Sequence, residues 1–447
     1  MRRLVPILLA LVALAGAMLP AAASATPAGR TTLYPLSKGT EAEALAVGPD
    51  GQLWFAGTRH GSQPANVYGR ISTSGIVHEY GVPESGGALG VGALTRGSDG
   101  YMYFTEPAAN RIERAAPNGG GVSGITIPTA ESRPTGIVAA PGGYLWVSLE
   151  GTGKVVRLGP TGLANEIPLP AGLEPAAIAL GSDAAAWTVD SGTGTVTRIS
   201  ASPGRTISFP ISAASKKFSP RTTFSDIVAG PDGKLWMSQS DGPRLATVEA
   251  HEAATHFIQY TIPAIGEGTT LVSNGPKGDI WFAGASVIGS IGTHGLEVGE
   301  VACAVPSCEG PIRALAAGPK GTLWFALHGE LGSFRPPALH VALSKGGRHL
   351  SGRAMPLGVE CRGGAAGETC AGRVEVFLRH GPAAALSRPL GRAPFRVGAM
   401  KRHLLSVPID AGARKSPAAQ GDLKIRVVVR LAGKVVANRR YLLRGRG

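Results

Sequence analysis

One phrase returns seven times along this chain, and a phrase that recurs every 41–49 residues leaves few architectures open. It begins as Gly48-Pro-Asp-Gly-Gln-Leu-Trp-Phe55 and Gly97-Ser-Asp-Gly-Tyr-Met-Tyr-Phe104. It continues as Pro141-Gly-Gly-Tyr-Leu-Trp-Val147, Gly181-Ser-Asp-Ala-Ala-Ala-Trp-Thr188 and Gly230-Pro-Asp-Gly-Lys-Leu-Trp-Met237. The last two copies are Gly275-Pro-Lys-Gly-Asp-Ile-Trp-Phe282 and Gly318-Pro-Lys-Gly-Thr-Leu-Trp-Phe325. The aromatic anchors are Trp54, Tyr103, Trp146, Trp187, Trp236, Trp281 and Trp324, and they account for all 6 Trp of the chain. A period of this length with turn signals inside each unit is the mark of a β-propeller.

Each unit reads as four strands. A short apolar strand enters the Pro-Asp-Gly turn, where Pro presets φ and Gly accepts a positive φ, and the Leu-Trp-Phe strand returns antiparallel. Third strands follow, such as Val67–Ile71, Asn110–Arg114 and Lys154–Leu158, and then a fourth ending in a Pro-rich phrase such as Tyr260-Thr-Ile-Pro263. Proline suits an outer strand, because one side of its ladder is unpaired. The large aromatic fills the gap between wedge-shaped neighbours. The seventh unit runs out after its third strand, and its missing fourth phrase stands at the other end of the chain as Thr31-Thr-Leu-Tyr-Pro-Leu36. The expectation is a seven-bladed ring over 31–336, closed by the N-terminal strand so that no sheet edge is left open.

Charge divides the rest. From Pro337 onward there are 21 Lys or Arg against 5 Asp or Glu, while the remainder carries 23 against 25. After Phe334-Arg-Pro-Pro337 the pattern becomes seven alternating strands: Leu339–Ser344, Leu357–Cys361, Arg373–Leu378, Phe395–Val397, His403–Ile409, Leu423–Leu431 and Val435–Leu443. This predicts an all-β chain whose propeller is followed, over 337–447, by a small basic sandwich of immunoglobulin-like type. Such a charge suits an anionic polymer of the cell envelope, or is simply a solvated face. Nucleic acid is not expected, because stacking aromatics are sparse there.

The first 25 residues read as a secretory signal. Arg2 and Arg3 precede an apolar run from Leu4 to Leu19, and Ala23-Ser24-Ala25 offers a cleavage site. That run is too short for a membrane span, so the mature protein is expected outside the cytoplasm. Its 4 Cys form two local pairs, Cys303 with Cys308 and Cys361 with Cys370, which in that compartment read as two disulfides.

Extra residues fall at Thr58–Asn66, Glu84–Gly90, Ser212–Thr223 and Cys303–Gly310, all on the face made by the second-to-third turns and the blade-to-blade connections. Insertions gathered on one face of a repeat fold mark its binding side. The seven inner strands begin with Glu43, Gly92, Thr135, Ala176, Ser225, Thr270 and Arg313. Glu43, Glu106, Asp190, Gln239, Glu309, Arg313 and His328 are candidates for a polar floor under a ligand at the channel mouth, or else for channel lining and blade-to-blade hydrogen bonds.

The phrases Gly-Pro-Asp-Gly-x-Leu-Trp-Phe, Tyr103-Phe-Thr-Glu-Pro-Ala-Ala-Asn-Arg-Ile112 and Tyr-x-x-Pro resemble the virginiamycin B lyase family. More distantly they are similar to the NHL and SMP-30/gluconolactonase propellers. The lyase resemblance implies magnesium-dependent opening of a cyclic depsipeptide, with a His base at the start of an inner strand and Glu ligands for the metal. Carried over position by position, the match fails. None of the seven inner-strand starts is His, the last repeat reads Glu309-Gly-Pro-Ile-Arg313, and Leu327 holds the place of the second Glu with His328 beside it. Arginine has no acceptor and Mg²⁺ wants oxygen ligands. No catalytic residue and no cofactor is therefore assigned, and the leading expectation is an extracellular recognition or scaffold propeller for a small molecule, peptide or glycan. The alternative is a metal-dependent lyase or lactonase-like enzyme with a rearranged site. The phrases Val359-Glu-Cys and Cys370-Ala-Gly-Arg-Val resemble small accessory sandwiches appended to secreted actinobacterial proteins.

Overall fold

The computed structural model describes residues 30–443 apart from 73, 84–86, 161, 202–203, 212–221, 252–255, 263–270, 285–286, 294–297, 303–310, 336–339, 344–353, 363–368, 379–388, 399–400, 410–422 and 432–433. Seven four-stranded antiparallel sheets follow one another, and their inner strands pack in cyclic order until the last meets the first. The chain is a seven-bladed β-propeller in this part. Blade one is typical, with strands Thr40–Val47, Leu53–Arg59, Ala65–Ile71 and Val77–Gly81. Closure is as expected. Arg30–Pro35 pairs antiparallel with Glu330–Arg335 as the outer strand of blade seven, and the Leu36 amide adds a bond to the Gly329 carbonyl at 2.9 Å.

The recurring phrase does more than turn the chain. Asp50 Oδ1 accepts from the Gln52 amide and from the Trp54 indole, at 3.0 and 3.1 Å, so one side chain pins the turn to the aromatic anchor. Asp183 and Asp232 hold Trp187 and Trp236 in the same way, and Asp99 takes the Tyr103 hydroxyl at 2.8 Å. A third-strand arginine then closes on the same carboxylate in three blades, as Arg70–Asp50, Arg114–Asp99 and Arg198–Asp183. The first Gly of the phrase is there because the indole lies against it: a Cβ on Gly48 would sit 2.2 Å from Trp54 Nε1. Where position 277 is Lys, the buried Trp281 indole nitrogen has no acceptor among the described residues.

The inner strands are not regular. A register shift falls between Ala42 and Ala44, Pro134 and Ile137, Pro175 and Ala177, and Phe224 and Asp226. The strand-start residues Glu43, Thr135, Ala176 and Ser225 sit in these bulges, which re-aim side chains. A belt of hydroxyls ties the bulges together: Ser148 Oγ accepts the Gly136 amide at 2.8 Å, and Thr105 Oγ1 donates to the Thr135 carbonyl of the next blade at 2.7 Å.

In blade five, Asp226 accepts from its neighbour's amide at Ile227 and from Val272 of blade six. Burial raises its pKa to about 7, against the lowering effect of these two bonds. Burial also raises the pKa of Glu106. A carboxyl whose folded pKa lies above its unfolded value favours the fold below the unfolded value, and that contribution fades as pH climbs through the folded one. Stability should therefore fall between about pH 4 and pH 8, by an amount on the order of a few kcal/mol from Asp226. Thermal melts across that range should show the decline in the native protein and a flatter profile in Asp226→Asn. Parallel profiles would contradict the assignment.

Beyond the ring, all seven expected strands are present in two further sheets. His340–Leu343, Ala354–Arg362 and Arg402–Pro408 form one; Gly391–Gly398, Thr369–Leu378, Leu423–Leu431 and Lys434–Leu443 form the other, in that spatial order. They enclose a core of Met355, Leu357, Val359, Val374, Val376, Phe395, Val407 and Val427. The Cys361–Cys370 disulfide joins the two sheets across that core. The Cys303 and Cys308 pair lies outside the described residues, as do the first 25 residues expected to form a secretory signal. Among the described residues no helix is long and apolar enough to cross a membrane.

Candidate functional site

Ring closure brings the start of blade one against the end of blade seven, and a charged cluster forms at that seam. Arg313 directly precedes the inner strand Ala314–Gly318, and its amide bonds the Ala326 carbonyl at 3.0 Å. His328 stands in the tight turn between Leu327 and Glu330, where Gly329 takes a φ of 68°. Both side chains reach Glu41 of blade one. Arg313 Nη2 lies 2.7 Å from one carboxylate oxygen and His328 Nδ1 lies 2.8 Å from the other. The Glu41 side chain is 12% exposed against 78% for His328, so an anchored carboxylate holds an imidazole in solvent.

This geometry does not fit a hard divalent cation. Both oxygens of Glu41 are already taken by Arg313 and His328, and Leu327 sets an alkyl chain where a second oxygen ligand would be needed. Among the described residues no three His, Cys, Asp or Glu side chains converge as a metal site. Glu309 lies outside the described residues.

The other sequence candidates are placed apart. Glu43 bridges its own blade and the next, accepting from the Thr58 hydroxyl at 3.0 Å and from the Val91 amide at 2.8 Å. Glu106 is fully buried, takes the Asn66 amide nitrogen at 2.6 Å, and hydrogen-bonds the buried Glu113. Asp190 is buried and organises the turn after its strand, accepting from the Gly192 amide at 3.1 Å and from the Thr193 hydroxyl at 2.6 Å. Gln239 is buried and accepts from Gln259 at 2.8 Å. The structure thus unites Arg313 and His328 through Glu41, and gives Glu43, Glu106, Asp190 and Gln239 structural partners. Glu41 is the residue that sequence reasoning misses. Its signal is the closure itself, which sets an acid at the start of blade one beside a blade carrying Arg and His.

A cavity of about 410 Å³ opens on the same face, between the second-to-third turn of blade three and the connection to blade four. Arg133, Glu150, Thr152, Lys154, Leu173 and Glu174 contribute to its wall. The approach to it is built against local preference. Glu131 and Arg133 both hold left-handed φ values, 57° and 48°, around the fully buried Ser132. Non-glycine residues in that region cost on the order of 1 kcal/mol or more each, and the surroundings must enforce them. Here Asn110 does so: its amide nitrogen donates to the Ile127 and Thr129 carbonyls, and its oxygen accepts the Ser132 amide at 2.9 Å. Glu150 and Gly151 then donate their amides to the Arg133 and Ser132 carbonyls. Arg133 pairs with Glu150 at 3.0 Å, and Lys154 pairs with Glu166 at 2.7 Å. Partial burial works to raise the pKa of Glu166, but the bonds from Lys154 and Thr129 outweigh it and keep the carboxylate ionised. The Thr152 hydroxyl is buried and has no hydrogen-bond partner among the described residues. The result is a polar recess whose wall carries both signs of charge.

Comparison with known proteins agrees with this frame. A model of the virginiamycin B lyase family matches residues 20–221. The virginiamycin B lyase of Staphylococcus aureus is 27% identical, with a TM-score of 0.60 over 68% of this chain and 99% of that one. A catalytically inactive His-to-Ala form of that lyase, solved with quinupristin, aligns equally, with 27% identity and a TM-score of 0.59 over 68% of this chain and 99% of that one. The extracellular domain of a one-component system from B. thetaiotaomicron shares the fold alone, at 10% identity and a TM-score of 0.53 over 94% of this chain and 58% of that one. No curated protein sequence matches the chain.

Proposed function

From a chain whose ring is a virginiamycin B lyase-like propeller, we propose a secreted recognition protein that binds a small polar ligand, peptide or glycan on its insertion-rich face. The basic sandwich would hold it near an anionic envelope. The recess between blades three and four carries this reading. It lies on the face that collects the longer loops, its wall carries charged side chains of both signs, and its approach holds two left-handed non-glycine residues that the surroundings must enforce. Preorganised walls lose little entropy on binding, which is what a recognition site needs.

Thermal-shift screening of the full-length protein against short peptides, sugars and amino acids tests it. A ligand at about 100 times its Kd stabilises the fold by about 2.7 kcal/mol, a readily measured shift. The shift should vanish in Ala171→Trp, which fills the recess from its exposed rim, while the unliganded melting temperature stays unchanged. A shift that persists in Ala171→Trp would contradict the placement.

A second reading is favoured by one observation. Glu41 orients His328 through Nδ1 and leaves the other ring nitrogen facing solvent, an arrangement able to take a proton from a bound substrate. Arg313 beside it could neutralise a developing negative charge. This would be a rearranged lyase or lactonase-like centre built on the seam.

A further inference from the structure

Among the described residues, most arginines of the C-terminal sheets lie on one surface. In the four-stranded sheet, side chains alternate between the core and the outside, and Arg392, Arg396, Arg373 and Arg426 are exposed on the outer side, with Arg430 half-buried among them. The other sheet presents Arg402, Leu404, Ser406 and Pro408 instead. A merely solvated basic domain would spread its charge over both.

The pairing makes the asymmetry costly. Arg373 lies directly opposite Arg430 in the backbone register. Like charges facing across a sheet destabilise it. Glu375 relieves one of them, accepting Arg430 Nε at 2.9 Å. Every one of these cations is Arg, whose planar fork matches paired anionic oxygens better than a lysine does.

We infer that this sheet face is the docking surface for a linear phosphodiester polymer, which lies across the strands and takes the arginines in rows. The inference rests on the tethering half of the proposed function and names its surface. Rows of side chains one strand apart and two residues apart form a lattice of about 4.8 by 6.8 Å, which a flexible chain of phosphates can follow. A lipid bilayer suits the face less well. Membrane-surface binding wants apolar side chains to insert, and among the described residues the large apolar side chains that stand well exposed, Ile76, Ile258 and Leu404, are all elsewhere.

The test uses the full-length protein, immobilised poly(glycerol phosphate) and phosphatidylglycerol vesicles. The variant carrying Arg373→Gln, Arg392→Gln, Arg396→Gln and Arg426→Gln should lose at least tenfold in affinity at low salt. Its log–log salt slope should shrink by about 3, at ~0.7 for each phosphate no longer neutralised. Arg402→Gln, on the opposite sheet, should change neither by more than the loss of one distant charge. If the fourfold variant melts lower than the parent, the pair Arg392→Gln and Arg396→Gln serves in its place, with half the effect. Polymer binding that survives in these variants would overturn the surface while leaving the tether standing. A parent protein that does not bind the polymer would remove the tether as well. Tighter binding to the vesicles than to the polymer would make the face a membrane contact and overturn the inference.

Discussion

A chain that begins at Ser37 should melt on the order of 10 °C or more below one that keeps the closing strand. The truncation removes the whole ladder between Arg30–Pro35 and Glu330–Arg335. It also strips Leu33, Tyr34 and Leu36 from two of the buried clusters, including the stack of Tyr34 on Trp324 at 5.3 Å. Three partly buried side chains of this size contribute roughly 4–8 kcal/mol. That alone moves the midpoint of a fold this large by on the order of 10 °C. Blade seven would then expose an unpaired strand, which invites edge-to-edge association. Tyr34→Ala, which removes only the stack, should give a fraction of the effect. Equal melting of truncated and intact chains would contradict non-covalent closure.

The reason so much of the fold is legible is that the repeat reports its own boundaries. Asp50, Trp54 and Arg70 form a unit in which the carboxylate fixes the turn, the indole and the guanidinium at once, and Asp99 and Asp183 head the same unit in two more blades. Any segment that keeps the phrase must keep the geometry. The C-terminal strands are nearly as plain, since alternation is clear in strands such as Gly391–Gly398 and the arginines there mark the outer side.

The site resists the same treatment. Glu41 and Glu43 stand two apart, and regular alternation gives them one direction. The bulge between Ala42 and Ala44 breaks that rule, sending Glu43 to Thr58 and Val91 while Glu41 crosses the seam to Arg313 and His328. Glu106, Asp190 and Gln239 are equivalent in repeat register, yet each is absorbed by a different local partner, which no single sequence reveals. The recess is invisible for a related reason. Its backbone depends on left-handed Glu131 and Arg133, residue types that carry no turn signal, and only the clamp from Asn110 makes them tenable.

On the proposed reading the lyase-like ring binds its ligand without turning it over, so it should leave cyclic depsipeptides unopened. Ring opening requires a base to remove a proton next to a carbonyl while a cation stabilises the enolate. The inner-strand position at the seam instead carries Arg313, and both oxygens of the Glu41 carboxylate beside it are already taken by Arg313 and His328. Enzymes of this reach accelerate their reactions by at least ~10⁶-fold, so the two cases are far apart. The deciding measurement incubates the purified protein with a virginiamycin B-type depsipeptide and magnesium, and follows the linear product by mass spectrometry. The expected rate is that of buffer, with or without magnesium and in both the native protein and His328→Ala. Magnesium-dependent opening that is fast in the native protein and abolished in His328→Ala would contradict the account and make the seam a rewired active site.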